Sequence, residues 1–143
     1  MDRESITVLW VDDDINNSRL RVERDEFEEN EITIIRAENP DECWKQLNDS
    51  KVDLIILDIS MPLGENIQLQ ESLGGMRTGL VLLKKLMEDN RTKEIMKIVY
   101  TIVDDQDVKD YCSENDIPYL SKQEVFPEDL VEKVKQMMNY EQK

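Results

Sequence analysis

Hydrophobic residues fall into short blocks separated by charged segments of helical length. Four blocks are nearly continuous and rich in β-branched residues: Thr7–Val11, Ile32–Ile35, Val52–Leu57 and Ile98–Val103. A weaker fifth spans Ile117–Leu120. Continuous rather than alternating apolar runs are the pattern of strands covered on both faces, as in a parallel sheet. The intervening segments carry helix signals. Asn39 offers an N-cap before Pro40, with Asp41 and Glu42 in the first turn. Thr78 is placed to cap a helix with the apolar stripe Leu80, Leu83, Leu86 and Met87. Pro127 opens a last helix carrying Leu130, Val131, Val134, Met137 and Met138. The helix after the first strand is the faintest, with Leu20, Val22 and Phe27 among many charges. A β-α unit repeated five times predicts an α/β fold: a five-stranded, doubly wound parallel sheet with right-handed crossovers.

In such sheets ligands bind beyond the carboxyl ends of the strands. The first strand closes on Asp12, Asp13 and Asp14, and the third on Asp58. The fourth reaches Thr101, and the fifth ends in Ser121 and Lys122. One rim therefore gathers carboxylates, a hydroxyl and an ammonium. Clustered carboxylates repel and call for a cation. An all-oxygen donor set suits a hard ion, foremost Mg2+. A metal and a Lys around one carboxylate form a setting that accepts a phosphoryl group, because both cations neutralise charge on the transferring oxygens.

Composition narrows the choices. The 143 residues suit a single domain, residues 1–143. Lys and Arg number 18 against 33 Asp and Glu, for a net charge of −15. That charge argues against nucleic acid or an anionic membrane as the main partner. The chain has no His. A Ser-His-Asp triad, a His-ligated zinc and a phosphohistidine are thereby excluded. Cys43 and Cys112 form no CxxC motif and read as buried or semi-buried free thiols in a reducing compartment. Trp10 reads as core. The longest early apolar stretch ends at Asp12, too short for a signal peptide or spanning helix, and a cytoplasmic location is expected.

The acidic pair after the first strand, Asp58 within Leu57-Asp-Ile-Ser-Met-Pro62, Thr101 and Lys122 together resemble the response-regulator receiver (CheY-like) domain of two-component signalling. The resemblance runs from about residue 6 to about residue 138. It implies a (βα)5 flavodoxin-like sheet with strand order 2-1-3-4-5. Asp58 takes the place of the phosphoacceptor. Asp13 takes that of the direct Mg2+ ligand and Asp12 that of the ligand acting partly through water, with the Ser60 backbone carbonyl completing the site. Lys122 resembles the Lys that pairs with the phosphoryl oxygen. Thr101 and Tyr119 resemble the switch hydroxyl and the switch aromatic. The implied partners are a sensor histidine kinase or phosphotransfer protein upstream and a protein target downstream. A possible homodimer would form through the fourth helix, fifth strand and fifth helix. The chain stops soon after the last helix, so a stand-alone receiver is expected. Its chemistry would be limited to self-phosphorylation from a phosphodonor and slow self-dephosphorylation.

Four departures from the family stand out. Gly79 occupies the place of a Gly that normally follows the acceptor Asp by about eight residues, which implies an insertion at about 65–77 between the third strand and its helix. Within it, Ile67–Leu73 suggests a short amphipathic turn, and Arg77 is a candidate to reach a phosphoryl group. Gln123 follows Lys122 where the family has Pro. A cis bond there would cost about 2.5–4 kcal/mol, so the resemblance leaves that bond open. Ile102 replaces a small residue and is expected to narrow access to Asp58. Ser60 and Val103 offer no carboxylate or carboxamide to orient a hydrolytic water, which predicts a long-lived acyl phosphate. The alternative is a receiver-like interaction module that no longer uses phosphate. A Mg2+-dependent nuclease-type site and a flavin-binding fold fit less well. The charge opposes DNA, and the acidic first turn opposes a bound phosphate.

Overall fold

The computed structural model describes residues 5–61 and 77–138. The described elements are β1 (Thr7–Val11), a 3-10 turn (Ser18–Leu20), α1 (Arg21–Glu29), β2 (Thr33–Ala37), α2 (Pro40–Asp49), β3 (Leu54–Leu57), α3 (Thr78–Glu88), β4 (Met96–Thr101), α4 (Gln106–Glu114), β5 (Tyr119–Ser121) and α5 (Pro127–Met137). The five strands form one parallel sheet in the order β2-β1-β3-β4-β5.

Alternate residues along each central strand enter different cores. Leu9, Val11, Ile55, Leu57 and Val99 pack beneath α2, α3 and α4 with Cys43, Leu83 and Cys112. Val8, Trp10, Leu54, Ile56, Ile98 and Tyr100 pack beneath α1 and α5 with Phe27, Leu130 and Val134. Both sets are shielded from water, which is why the strand sequences are apolar without a break. Trp10 sits at the centre of the second core, its ring 5.0 Å from Phe27 and 6.1 Å from Tyr100.

The caps follow the residue chemistry. The Asn39 side chain accepts from the Glu42 amide at 2.9 Å, with Pro40 opening α2. Asp105 caps α4 by accepting from the Asp107 amide at 2.9 Å. Pro127 opens α5 as expected. At α3 the cap position belongs to Arg77 rather than Thr78, which lies buried as the first helical residue. Val22 on α1 is 64% exposed, while Leu20 and Phe27 face inward.

Strand limits shift for physical reasons. β2 pairs from Thr33 to Ala37 rather than Ile32 to Ile35. Val52 and Asp53 precede the β3 ladder, where Asp53 donates its amide to Thr7 O at 2.9 Å and accepts from Thr7 N at 2.8 Å. β4 begins at Met96 and ends at Thr101, leaving Ile102 and Val103 in the following loop. β5 pairs only from Tyr119, because Pro118 has no amide hydrogen to add to the ladder.

Candidate functional site

The ladder hydrogen bonds run past the strand ends and fix the rim. Asp12 N donates to Ala37 O at 2.9 Å, Asp58 N to Val11 O at 3.0 Å, and Lys122 N to Thr101 O at 2.9 Å. The side chains of these residues meet. Lys122 Nζ donates to Asp12 Oδ2 at 2.8 Å and to Asp58 Oδ2 at 3.3 Å. The other Asp58 oxygen accepts from the Thr101 hydroxyl at 2.5 Å and from the Ile59 amide at 2.7 Å. Asp12 Oδ1 accepts from the Asp14 amide at 2.8 Å. Asp12 is 0% exposed and Asp58 is buried, whereas Asp13 is exposed. Ser60 is also exposed and lines the cleft above them.

Gly79 explains how α3 reaches this rim. Its amide donates to Ile59 O at 2.7 Å. A Cβ at this position would fall 1.9 Å from the Asp58 carbonyl oxygen and 2.6 Å from Ile59 Cα. Only glycine permits that approach. The chain thus returns from the expected insertion directly onto the backbone of Asp58. Residues 62–76 lie outside the described residues, and so do the Ile67–Leu73 turn and most of the 65–77 segment.

The site is electrostatically crowded. Burial, then repulsion from Asp58, pushes the Asp12 carboxyl up to about 6 against the pull of Lys122. Burial, with Asp14 and Asp58 nearby, raises Asp13 as well. Burial pulls Lys122 down, but Asp58 and Asp12 outweigh it and hold the ammonium above its usual value. Asp12, Asp13 and Asp58 each offer a carboxylate oxygen within 4.8 Å of the others. Three crowded carboxylate oxygens and one ammonium leave excess negative charge, which fits a hard divalent cation such as Mg2+.

A cleft of about 420 Å3 opens above these groups, bordered by Asp13, Asp58, Lys122, Arg19, Glu23 and Ile102. Ile102 stands at its rim and is 63% exposed, so it borders the entrance rather than filling it. Beyond Thr101, the hydroxyl oxygen accepts from the Val103 amide at 3.1 Å. The Val103 carbonyl in turn accepts from the Tyr119 hydroxyl. Tyr119 is half-buried, with the Lys109 ammonium 5.6 Å from its ring centroid. A hydrogen-bonded line therefore runs from Asp58 through Thr101 and Val103 to Tyr119. Among the described residues every peptide bond is trans, the Lys122–Gln123 bond included.

Arg77 does not point at Asp58 as the sequence reading suggested. Asp105 and Asp107 capture its guanidinium instead. Three other polar placements escaped the sequence reading. Tyr100 donates to Glu23 Oε2 at 2.8 Å across the top of the second core. Lys97 is buried within β4 and donates to Thr92 O at 2.8 Å and Ile95 O at 2.5 Å. Asp105 precedes a helical segment, a signal that could have marked it as a cap, but its partner Arg77 lies 28 residues away.

No family model matches the chain, and no curated protein matches it by sequence. Solved structures match over nearly its whole length. A CheY-like response-regulator receiver domain protein from Methanospirillum hungatei JF-1 shares 20% identity, with TM-score 0.73 and 96% of each chain covered. The chemotaxis response regulator CheY4 of Vibrio cholerae shares 19% identity, with TM-score 0.70, 93% of this chain and 98% of that one covered. The phosphorylated cyanobacterial phytochrome response regulator RcpA shares 17% identity, with TM-score 0.68, 96% of this chain and 94% of that one covered. The chain has the fold of CheY-like receiver domains.

Proposed function

We propose that the protein is a response-regulator receiver that accepts a phosphoryl group on Asp58. The observation that carries this reading is the Lys122 ammonium set between Asp12 and Asp58, with the Thr101 hydroxyl on the other Asp58 oxygen. An Asp58 carboxylate oxygen attacks the phosphorus of the donor. The bond from phosphorus to the donor's imidazole nitrogen breaks, and an acyl phosphate remains. Lys122 neutralises charge on the phosphoryl oxygens and Thr101 turns its hydroxyl to one of them. Asp12, Asp13, Asp58 and the Ser60 carbonyl would hold Mg2+, which would supply further charge neutralisation. The chain has no His, so the donor is a separate histidine kinase or phosphotransfer protein, or a small phosphodonor.

Loss of the Thr101–Asp58 bond in favour of a phosphoryl contact would move Val103 and, through it, Tyr119. That movement alters the surface of α4, β5 and α5, where a downstream protein or a second copy would read the state. No helix among the described residues is long and apolar enough to cross a membrane. Incubation with acetyl phosphate and Mg2+ tests the reading by mass spectrometry. Addition of one phosphoryl group to the wild type, absent in Asp58→Asn, is expected. An unmodified wild type that remains folded favours a phosphate-independent interaction module instead.

A further inference from the structure

The loop that leaves Thr101 is held from two sides. On one side the Thr101 hydroxyl bonds Asp58 and accepts from the Val103 amide. On the other, Arg77 Nε donates to Asp105 Oδ2 at 2.7 Å and Arg77 Nη2 to Asp105 Oδ1 at 2.8 Å. The same Nη2 donates to Asp107 at 2.9 Å. The Arg77 and Asp105 side chains are only 26% and 17% exposed. A two-pronged guanidinium-carboxylate pair fixes orientation as well as distance. Each carboxylate oxygen of Asp105 is engaged, because Oδ1 also accepts from the Asp107 amide at the start of α4. Arg77 is itself anchored. It occupies the cap position of α3, two residues before Gly79, whose amide is bonded to the backbone beside Asp58.

We infer that Arg77 is a positioning residue for phosphoryl acceptance: by clamping Asp105 it holds the 101–105 loop, and so the Thr101 hydroxyl, against Asp58. The inference rests on the phosphoryl-acceptor reading and extends it to the return point of the insertion. Any displacement of Arg77 would reach the acceptor through four residues of backbone. The mechanism is mechanical linkage between two anchored loops, with no contact between the guanidinium and the phosphoryl group.

The test uses beryllofluoride with Mg2+, read by fluorine NMR, on the wild type, Arg77→Ala, Arg77→Lys, Asp105→Asn and Thr101→Ala. Coupling between linked sites spans roughly 5- to 150-fold in affinity, and Arg77→Ala is expected to weaken binding about tenfold. Asp105→Asn should do the same, and Arg77→Lys should restore only part, since an ammonium cannot fork. Adding Arg77→Ala to Thr101→Ala should cost nothing further, because the clamp acts through that hydroxyl. Penalties that simply add would overturn the inference, as they would show general destabilisation. Amide exchange at Val103 and Asp105, measured without any ligand, is a second arm. Faster exchange in Arg77→Ala upholds the clamp, and unchanged exchange overturns it. A wild type that binds no beryllofluoride sinks the acceptor reading, while the exchange arm still decides whether Arg77 holds the loop.

Discussion

Asp58 meets four neighbours that make opposing demands. Lys122 and the Thr101 hydroxyl stabilise its charge, Asp12 repels it, and Gly79 closes on its backbone. A cation that binds only the folded site adds stability by mass action, about 2.7 kcal/mol at a hundredfold excess over Kd. Millimolar Mg2+ is therefore expected to raise the thermal midpoint of the wild type, and Asp13→Asn to abolish most of the rise. An equal rise in both proteins would remove Asp13 from the cation site. Gly79→Ala is expected to cost about 1–3 kcal/mol in urea unfolding, because the helix start must retreat from Asp58. A neutral outcome would mean that α3 approaches the loop less closely than described. Ser60 and Val103 carry no carboxylate or carboxamide to orient a hydrolytic water, and the Val103 amide and carbonyl are already engaged. A phosphorylated protein that survives for many minutes in Mg2+ is the expected result, and decay within seconds would contradict it.

The elements were legible where each residue's role was local. Asn39-Pro40 announced α2, and Pro127 announced α5. Five apolar runs located five strands because both sheet faces are covered. Boundaries slipped where hydrogen bonding, rather than the apolar run, decided them. The fourth apolar run begins at Ile98, yet β4 begins at Met96 and includes Lys97. Its stem is buried and its ammonium finds the carbonyls of Thr92 and Ile95, which no local pattern announces. Burial lowers this ammonium to about 8 from a usual 10.5. Between those values the unfolded chain holds the proton and the folded chain has lost it. The contribution of Lys97 to stability therefore rises as pH climbs from 8 toward 10.5. Lys97→Met strands those carbonyls and is expected to cost about 1–3 kcal/mol at neutral pH. The gap to wild type should widen through the alkaline window. A gap that narrows would show that the amine gains nothing from deprotonation in the fold.

Across the whole molecule, the order β2-β1-β3-β4-β5 brings four strand ends that are distant in sequence onto one rim. The sequence exposed most of that rim because Asp12, Asp58 and Lys122 follow apolar runs, whereas Thr101 lies inside the run Ile98–Val103 and was placed by the resemblance. The links that tie the rim to its surroundings were not legible. Arg77 reaches Asp105, Glu23 reaches Tyr100, and Tyr119 reaches Val103 only once helices and loops are packed. In a chain of net charge −15, the cleft is bordered by two cationic side chains, Arg19 and Lys122. The most direct measurement is beryllofluoride binding in Mg2+, followed by fluorine NMR on the wild type and Asp58→Asn. It needs no cognate kinase. Saturable, Mg2+-dependent binding by the wild type that vanishes in Asp58→Asn is the predicted result. A folded wild type that binds none, or an Asp58→Asn variant that binds as well, would contradict phosphoryl acceptance at Asp58.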